Sequence, residues 1–128
     1  MIRSTDSVEI ITSELVPRLS RILEIAKLNR GWVDGFSGEP VAVETLKSAL
    51  NLSAKIYEEN PVKEPGIFPT EDGEIEFQWI VNSVFISLTP QIDGSFLFEL
   101  GSGEGDYREI HLESWEEVKR ELDGAGVY

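Results

Sequence analysis

Few residues of this chain could carry chemistry, and none of them forms a recognisable catalytic signature. His111, the only histidine, has no serine in a nucleophile-elbow pattern to work with. The chain has no cysteine, which excludes thiol catalysis, thiolate metal ligands and disulfides. Paired carboxylates occur at Glu74 and Glu76 and again at Glu116 and Glu117. Because catalytic carboxylates need a cleft that shifts their pKa values, we expect no enzyme, no cofactor and no metal site.

The glycine-rich run Gly101–Asp106 has the composition of a phosphate-binding loop but not its chemistry. It lacks the lysine and the following serine or threonine of a P-loop. It also carries two carboxylates, Glu104 and Asp106, which would repel a phosphate group. The ligand spacing of an EF-hand calcium loop is absent as well. The run is therefore predicted to be a hairpin loop.

Negative charge is concentrated in the second half of the chain. Residues 64–128 carry 15 acids and 3 bases, a net charge of −12 out of −13 for the whole chain. A folded surface with this charge repels nucleic acid and anionic lipid and attracts basic protein surfaces. We therefore expect neither direct nucleic-acid binding nor membrane binding. Four basic residues of the first half are expected to pair with the acidic half, within the molecule or between subunits: Arg18, Arg21, Lys27 and Arg30.

The length of 128 residues fits one domain, which we predict to be a single α+β domain over residues 1–128. No apolar run approaches the roughly 20 residues that span a bilayer. The first residues lack the basic start and apolar core of a signal peptide. Together with the absence of cysteine, these features predict a cytoplasmic location.

Two N-terminal helices are predicted ahead of the sheet. Apolar residues recur at three- and four-residue spacing from Val8 to Ala26, with Pro17 inside the pattern. We favour a short helix that ends near Leu15, followed by one that begins with Pro17 in its first turn; the alternative is one helix kinked at Pro17. The next helix is predicted over 43–58, and its apolar stripe is Val43, Leu46, Leu50, Ala54 and Tyr57.

After these helices the apolar period changes to two, which is typical of strands. Alternating segments begin at Ile75, Val84, Phe96 and Ile110, and a shorter one lies around Ile67. Asp-Gly and Asn-Ser pairs supply tight turns, so the strands are predicted to form an antiparallel meander of four to five strands. Ser114 and Glu117 have the spacing of a capping box that opens a C-terminal helix, with Gly124 as its expected stop.

The helices are expected to cover one face of this sheet and to leave the other open. The open face would carry Glu74, Glu76, Gln78, Ile80, Ser83, Phe85, Ser87, Leu97 and Glu99. Such a mixture of acidic and aromatic side chains is either a docking surface or a solvated face with a few exposed apolar groups. In the loop over 31–40, Trp32 and Phe36 are either binding anchors or plugs of a small core.

Two segments carry a distinctive residue order. Residues 28–40 read Leu-Asn-Arg-Gly-Trp-Val-Asp-Gly-Phe-Ser-Gly-Glu-Pro, and residues 69–79 read Pro-Thr-Glu-Asp-Gly-Glu-Ile-Glu-Phe-Gln-Trp. Together they resemble a group of small bacterial proteins of unknown function, in which the segments read NWDGYGA…P and PTxDGxIxxxW. Val33 is an insertion relative to that pattern. The resemblance covers about 19–94 and implies a shared fold, but it implies no catalytic residues because the group has no established activity.

The charge and the open face favour a non-enzymatic, acidic protein-binding module. Inhibitors, antitoxins, immunity proteins and phage proteins that imitate nucleic acid have this character, and their partners are basic, such as a nuclease or a nucleic-acid-binding complex. The residues predicted to bind the partner are Trp32, Phe36, Glu74, Glu76, Phe85, Leu97, Glu99, Glu104, Asp106, Glu109, Glu116 and Glu117. The alternative is an acidic soluble homodimer whose charge serves solubility and which inhibits nothing.

Overall fold

Three helices and one five-stranded sheet make up the part of the chain that the structure describes, a computed structural model covering residues 16–28, 31–32, 38–58, 64–102 and 105–127. The elements are α1 (Val16–Ala26), α2 (Val43–Glu58), β1 (Gly66–Pro69), β2 (Ile75–Val81), β3 (Val84–Pro90), β4 (Phe96–Gly101), β5 (Tyr107–Leu112) and α3 (Trp115–Gly124). The strands lie in the order β1-β2-β3-β4-β5, each antiparallel to the next. The predicted α+β class, the helix–sheet–helix order and the meander, with β1 as its fifth strand, are confirmed.

Helix α1 begins at Val16, which places Pro17 in its first turn. Proline is tolerated there because the first amide groups of a helix have no acceptor within the helix. Ile22 and Ile25 of α1 are buried in the core. The predicted helical pattern from Val8 to Leu15 lies outside the described residues. None of the three described helices is long and apolar enough to cross a bilayer.

Helix α2 has the predicted bounds, but its buried face is rotated away from the predicted stripe. Its buried residues are Thr45, Ala49, Leu52, Ser53 and Ile56. Leu46 and Leu50 pack at the margin of the core, and Val43 is exposed. The prediction was wrong because Ala49, Leu52 and Ile56 form a second apolar stripe at three- and four-residue spacing, and spacing alone does not say which stripe meets the sheet. On this face the small side chains of Ala49 and Ser53 let the helix backbone lie close to the sheet.

The side chains of β2 alternate between the core and the opposite face of the sheet. Phe77 and Trp79 are buried, and the register places them opposite Leu88 and Ile86 of β3. One continuous core contains these residues together with side chains from all three helices. Burial of one such side chain contributes about 1.5–3 kcal/mol. All three helices therefore lie on one face of the sheet, and the described helices leave the other face uncovered.

Tight turns fix the register of the meander. Asn82 and Ser83, between β2 and β3, have positive φ values of 51° and 66°, as a type I′ hairpin turn requires. Between β3 and β4, the Asp93 carboxylate accepts hydrogen bonds from the Ser95 hydroxyl (2.5 Å) and the Ser95 amide (2.9 Å). These two hydrogen bonds lower the pKa of the Asp93 carboxyl below its ordinary value. The turn therefore carries an ionised carboxylate at neutral pH.

Helix α3 begins at the predicted cap and ends at the predicted stop, Gly124. The Ser114 hydroxyl accepts from the Glu117 amide (3.3 Å), and the Glu117 carboxylate accepts from the Glu113 amide (2.9 Å). The left-handed residue that follows the helix is Gly126, with φ of 86°. Its amide and that of Val127 donate back to the last turn, which is a Schellman motif. The motif turns Val127 into the core.

Candidate protein-binding face

The side of the sheet that points away from the three helices is the outward face. By the strand register its side chains are Gly66 and Phe68 of β1, Glu76, Gln78 and Ile80 of β2, Phe85, Ser87 and Thr89 of β3, Leu97, Glu99 and Gly101 of β4, and Tyr107, Glu109 and His111 of β5. Directly paired residues of neighbouring strands lie side by side on one face. The outward face is therefore organised in rows that cross the strands.

One row is acidic. Glu99 of β4 is the direct partner of Glu109 of β5. The Tyr107 hydroxyl donates to the Glu99 carboxylate and also lies 3.1 Å from Oε2 of Glu109. The hydrogen bond to Glu99, then partial desolvation and the contact with Glu109, raise the pKa of Tyr107. The phenol thus stays neutral and donates its one proton to Glu99, with the Glu109 carboxylate beside it.

The adjacent row is apolar. Ile80 pairs with Phe85, Phe85 pairs with Gly101, and Gly101 pairs with Tyr107. The exposed fractions of the three large side chains are 74% for Ile80, 38% for Phe85 and 58% for Tyr107. Neighbouring exposed apolar groups of this size mark interaction surfaces more often than isolated ones do.

Ser87 lies on the outward face as predicted, but its side chain is completely buried. Its direct partners are Gln78 on one side and Glu99 on the other, and these longer side chains enclose the shorter serine. Among the described residues no group hydrogen-bonds to the Ser87 hydroxyl. The prediction that Ser87 is accessible was wrong because alternation gives the face of a residue and not its depth. Ser83, also predicted for this face, lies in the β2–β3 turn.

Glu74 was predicted for the outward face but precedes β2 and belongs to the end of the sheet. Its carboxylate accepts from Nε2 of Gln91 (2.9 Å), which links the β1–β2 turn to the β3–β4 turn. Together with Glu39, Asp72 and Asp93, it lines a cleft of about 600 Å³ near the start of α2. Glu74 therefore lies apart from Glu76, its predicted partner.

Trp32 closes its own loop. Its indole Nε1–H donates to the Glu39 carbonyl (3.1 Å), and the Gly31 amide donates to the Gly38 carbonyl (2.7 Å). Gly38 has φ of 111°, and a Cβ atom there would lie 2.8 Å from the indole ring. This geometry fits the interpretation of Trp32 as a structural plug. Phe36 and Glu104 lie outside the described residues.

The remaining predicted residues lie in two places. Asp106 lies at the β4–β5 loop beside Tyr107, and its carboxylate accepts from the hydroxyl and amide of Ser102, which lowers the pKa of Asp106. Glu116 and Glu117 belong to α3, in the helical layer, where Glu116 pairs with Lys119 at 3.3 Å. The structure thus brings together Glu76, Phe85, Leu97, Glu99 and Glu109, with Asp106 at their margin.

Within the described part of the chain, Arg21 does not form the predicted ion pair with an acidic residue of the second half. Arg21 pairs with Glu24 of its own helix (3.3 Å). Its Nε–H also donates to the Ile67 carbonyl (2.9 Å), and its guanidinium lies 5.9 Å from the centre of the Phe68 ring. The side chains of Arg18 and Arg30 lie outside the described residues. Arg21 therefore brings a cation to the β1 edge of the outward face through a backbone contact and an aromatic ring.

Sequence reasoning missed Tyr107 and Gly101 because both were assigned to the glycine-rich loop or its edge. The signal was present: continuing the alternation of His111 and Glu109 backward by two residues places Tyr107 on the same face. Gly101 follows as its partner in the hairpin. His111 is exposed, and its Nε2 lies 4.0 Å from a carboxylate oxygen of Glu109.

Neither a metal site among the described residues nor a comparison with known proteins identifies a function for this chain. Within the described ranges no three His, Asp or Glu side chains are grouped so that they could hold a metal ion. No family model, no curated protein and no solved structure matches this chain. The resemblance to the small bacterial group stays a prediction. The geometry and charge of the outward face are what indicate a function.

Proposed function

We propose that this chain is a non-enzymatic, acidic protein-binding module that binds a basic protein partner with its outward face. The observation that carries the proposal is the mixed composition of that face. Glu99 and Glu109 lie in the row next to the exposed Ile80, Phe85 and Tyr107, and Glu76 lies one row further along the outward face. Apolar groups of this kind supply the desolvated centre of an interface, and surrounding charges supply specificity and a fast association rate.

Charge complementarity favours a basic partner. No described strand places a lysine or arginine side chain on the outward face, and Arg21 reaches only its β1 edge. The surrounding half of the chain carries a net charge of −12. Proteins that bind nucleic acid present basic surfaces to the phosphate backbone, and such surfaces are attracted to a negative face. We therefore propose a nuclease or nucleic-acid-binding complex as the partner, with this chain as its inhibitor, antitoxin or immunity-type protein.

The alternative is an acidic homodimer without inhibitory activity. The exposed pair Ile80 and Phe85 supports a homodimer, since exposed apolar neighbours are typical of interfaces. In a two-fold symmetric interface, however, each outward face would meet its own copy. Glu99 and Glu109 of both chains would then approach one another. The like-charge repulsion favours the basic partner over the homodimer.

The proposal is tested with the full chain and two double variants. The tagged chain captures proteins from native-host lysate at low and then moderate salt, and the captured protein is purified and titrated calorimetrically. Glu99→Gln with Glu109→Gln removes two charges from the outward face. Glu121→Gln with Asp123→Asn removes two charges from α3 at positions that are not predicted to bind the partner, and it serves as the matched control.

We expect one basic protein at near-equal stoichiometry, released as salt rises. The Glu99→Gln, Glu109→Gln variant should bind the captured protein about tenfold or more weakly than the unmodified chain does. The α3 pair should weaken binding less than about threefold, because surface charges away from an interface contribute little. An equal loss for both pairs would mean that overall charge drives binding, and it would overturn the assignment of the outward face. Self-association in sedimentation equilibrium, with no basic protein captured, would replace the proposal by the homodimer.

A further inference from the structure

Two aromatic rings flank a position without a side chain on the outward face. Gly101 of β4 pairs with Phe85 of β3 on one side and with Tyr107 of β5 on the other. Neighbouring strands lie about 4.8 Å apart, so the two ring-bearing strands are about 10 Å apart. The resulting gap has a volume of about 310 Å³ and is lined by Phe85, Gly101, Gly105, Asp106 and Tyr107. A planar group can therefore enter between the two rings.

The backbone does not require glycine at this position. Gly101 has no positive φ, unlike Gly94 and Gly105 at the neighbouring turns. A Cβ atom at Gly101 would lie 3.8 Å from its nearest neighbours, the Asp106 carbonyl and two atoms of Tyr107, which is ordinary van der Waals contact. Glycine also weakens a strand relative to a residue with a side chain. What glycine provides here is the open gap itself.

Carboxylates surround this gap on the side of β4 and β5. Asp106 lines it directly, held by its hydrogen bonds from Ser102. Glu99 and Glu109 lie in the next row and are connected to the gap by the Tyr107 hydroxyl. Their neighbour Ser87 is buried and lacks a hydrogen-bond partner among the described residues. The gap thus combines aromatic walls with a negatively charged rim.

We propose that this gap binds an arginine side chain of the basic partner, stacked between Phe85 and Tyr107 and paired with Asp106 and Glu99. The inference rests on the proposed function of the outward face. Arginine fits better than lysine because its planar guanidinium stacks on aromatic rings and presents several donors in a fixed fork to carboxylates. The same chain already places the Arg21 guanidinium over the Phe68 ring at the edge of this face.

The test compares two probes of equal charge on the full chain. Acetylated, amidated tetra-arginine and tetra-lysine peptides are titrated into ¹⁵N-labelled protein, and amide shifts and dissociation constants are measured by NMR. We expect tetra-arginine to bind about threefold to fivefold more tightly than tetra-lysine. Its largest amide shifts should occur at Gly101, Asp106 and Tyr107.

Variants then distinguish the contribution of the gap to peptide binding from the contribution of the charge around it. Gly101→Val fills the gap with a residue that strands favour, and Phe85→Leu removes one aromatic wall. Both should abolish the preference for tetra-arginine while the charge-driven binding of tetra-lysine persists. Gly124→Ala, which adds a methyl group in open space on α3, should leave the preference unchanged.

Two results would overturn the inference, and they differ in what they say of the proposed function. If both peptides bind equally and shift Glu99 and Glu109, the arginine site is wrong and the docking face survives. If neither peptide shifts any residue of the outward face, the arginine site and the docking face are both wrong.

Discussion

Glu99 and Glu109 are direct cross-strand partners, so two carboxylates of like charge project side by side from β4 and β5. Opposed like charges weaken strand pairing. The Tyr107 hydroxyl lies between them as a hydrogen-bond donor. The stability of this hairpin is therefore linked to the protonation of one phenol.

Tyr107→Phe tests this link through the pH dependence of stability. The folded state raises the pKa of Tyr107 above its ordinary value of 10.0, chiefly through the hydrogen bond to Glu99. Because the folded state holds this proton more tightly than the unfolded chain does, the hydrogen bond contributes fully to the free energy of unfolding below about pH 10. The contribution is lost as pH rises further, since the unfolded chain releases the proton first. The variant should be less stable at pH 7, and the difference should shrink as pH rises above about 10. Urea unfolding at a series of pH values measures it, and a constant difference would contradict the role of the phenol.

Ser83→Gly should stabilise the protein. Ser83 holds φ of 66° in the β2–β3 turn, a conformation that costs most residues roughly 1–2 kcal/mol and glycine almost nothing. Asn-Gly is the preferred sequence of a type I′ turn. We expect the free energy of unfolding to rise by about 0.5–1 kcal/mol, measured by urea denaturation. Asn82→Ala, in the same turn, should lower it, and a loss of stability in Ser83→Gly would show that the turn is not of this type.

Ser87→Ala should be neutral or stabilising, although Ser87 is fully buried. Its hydroxyl has no hydrogen-bond partner in the part of the chain that the structure describes. Leaving a buried hydroxyl unpaired costs about 1–3 kcal/mol, and removing the hydroxyl removes that cost. We expect a change between zero and a gain of about 1 kcal/mol in the free energy of unfolding. Ile86→Ala, at the next position on the core face, is the control and should lose about 2–5 kcal/mol. A comparable loss for Ser87→Ala would mean that its hydroxyl is hydrogen-bonded.

Gly38→Ala separates the two interpretations of Trp32. The new methyl group would lie 2.8 Å from the indole ring at a left-handed backbone position, so Trp32 must leave its contact with Gly38. We expect a loss of about 1 kcal/mol or more in stability and a red shift of the Trp32 fluorescence, isolated by subtracting spectra of Trp32→Phe variants. If the fluorescence and stability stay unchanged, Trp32 does not close the loop, and its role as a binding anchor becomes the better interpretation.

The sequence was sufficient for those features that repeat along the chain. Period-two alternation from Ile75 onward located the strands, and the Ser114–Glu117 spacing located the start of α3. It was insufficient where residues that are distant in sequence determine the position or the burial of a side chain. Glu74 follows the alternation but is bound by Gln91, 17 residues away, and Ser87 is buried by residues of two other strands. The buried face of α2 was misplaced because the helix carries two apolar stripes, and packing against the sheet, not spacing, selects the one with Ala49, Leu52 and Ile56.

On the outward face, too, some residues could be predicted from the sequence and others could not. Phe85, Leu97, Glu99 and Glu109 were predicted from alternation and lie together on the outward face. The gap at Gly101 could not be predicted, because it exists only through the pairing of three strands. A glycine in a loop-like sequence gives no indication that its neighbours across the sheet are aromatic. Register, which pairs Phe85 with Gly101 and Gly101 with Tyr107, is what creates the site.

The order β1-β2-β3-β4-β5 in space repeats the order in the chain, and this has a consequence for how the protein folds. Every strand reaches its partner by closing a loop of a few residues, so little entropy is lost before each new pairing forms. The sheet can grow hairpin by hairpin from the N-terminal side as the chain leaves the ribosome. We therefore expect rapid folding for a sheet protein of this size, because the pairings that build the sheet are local in sequence.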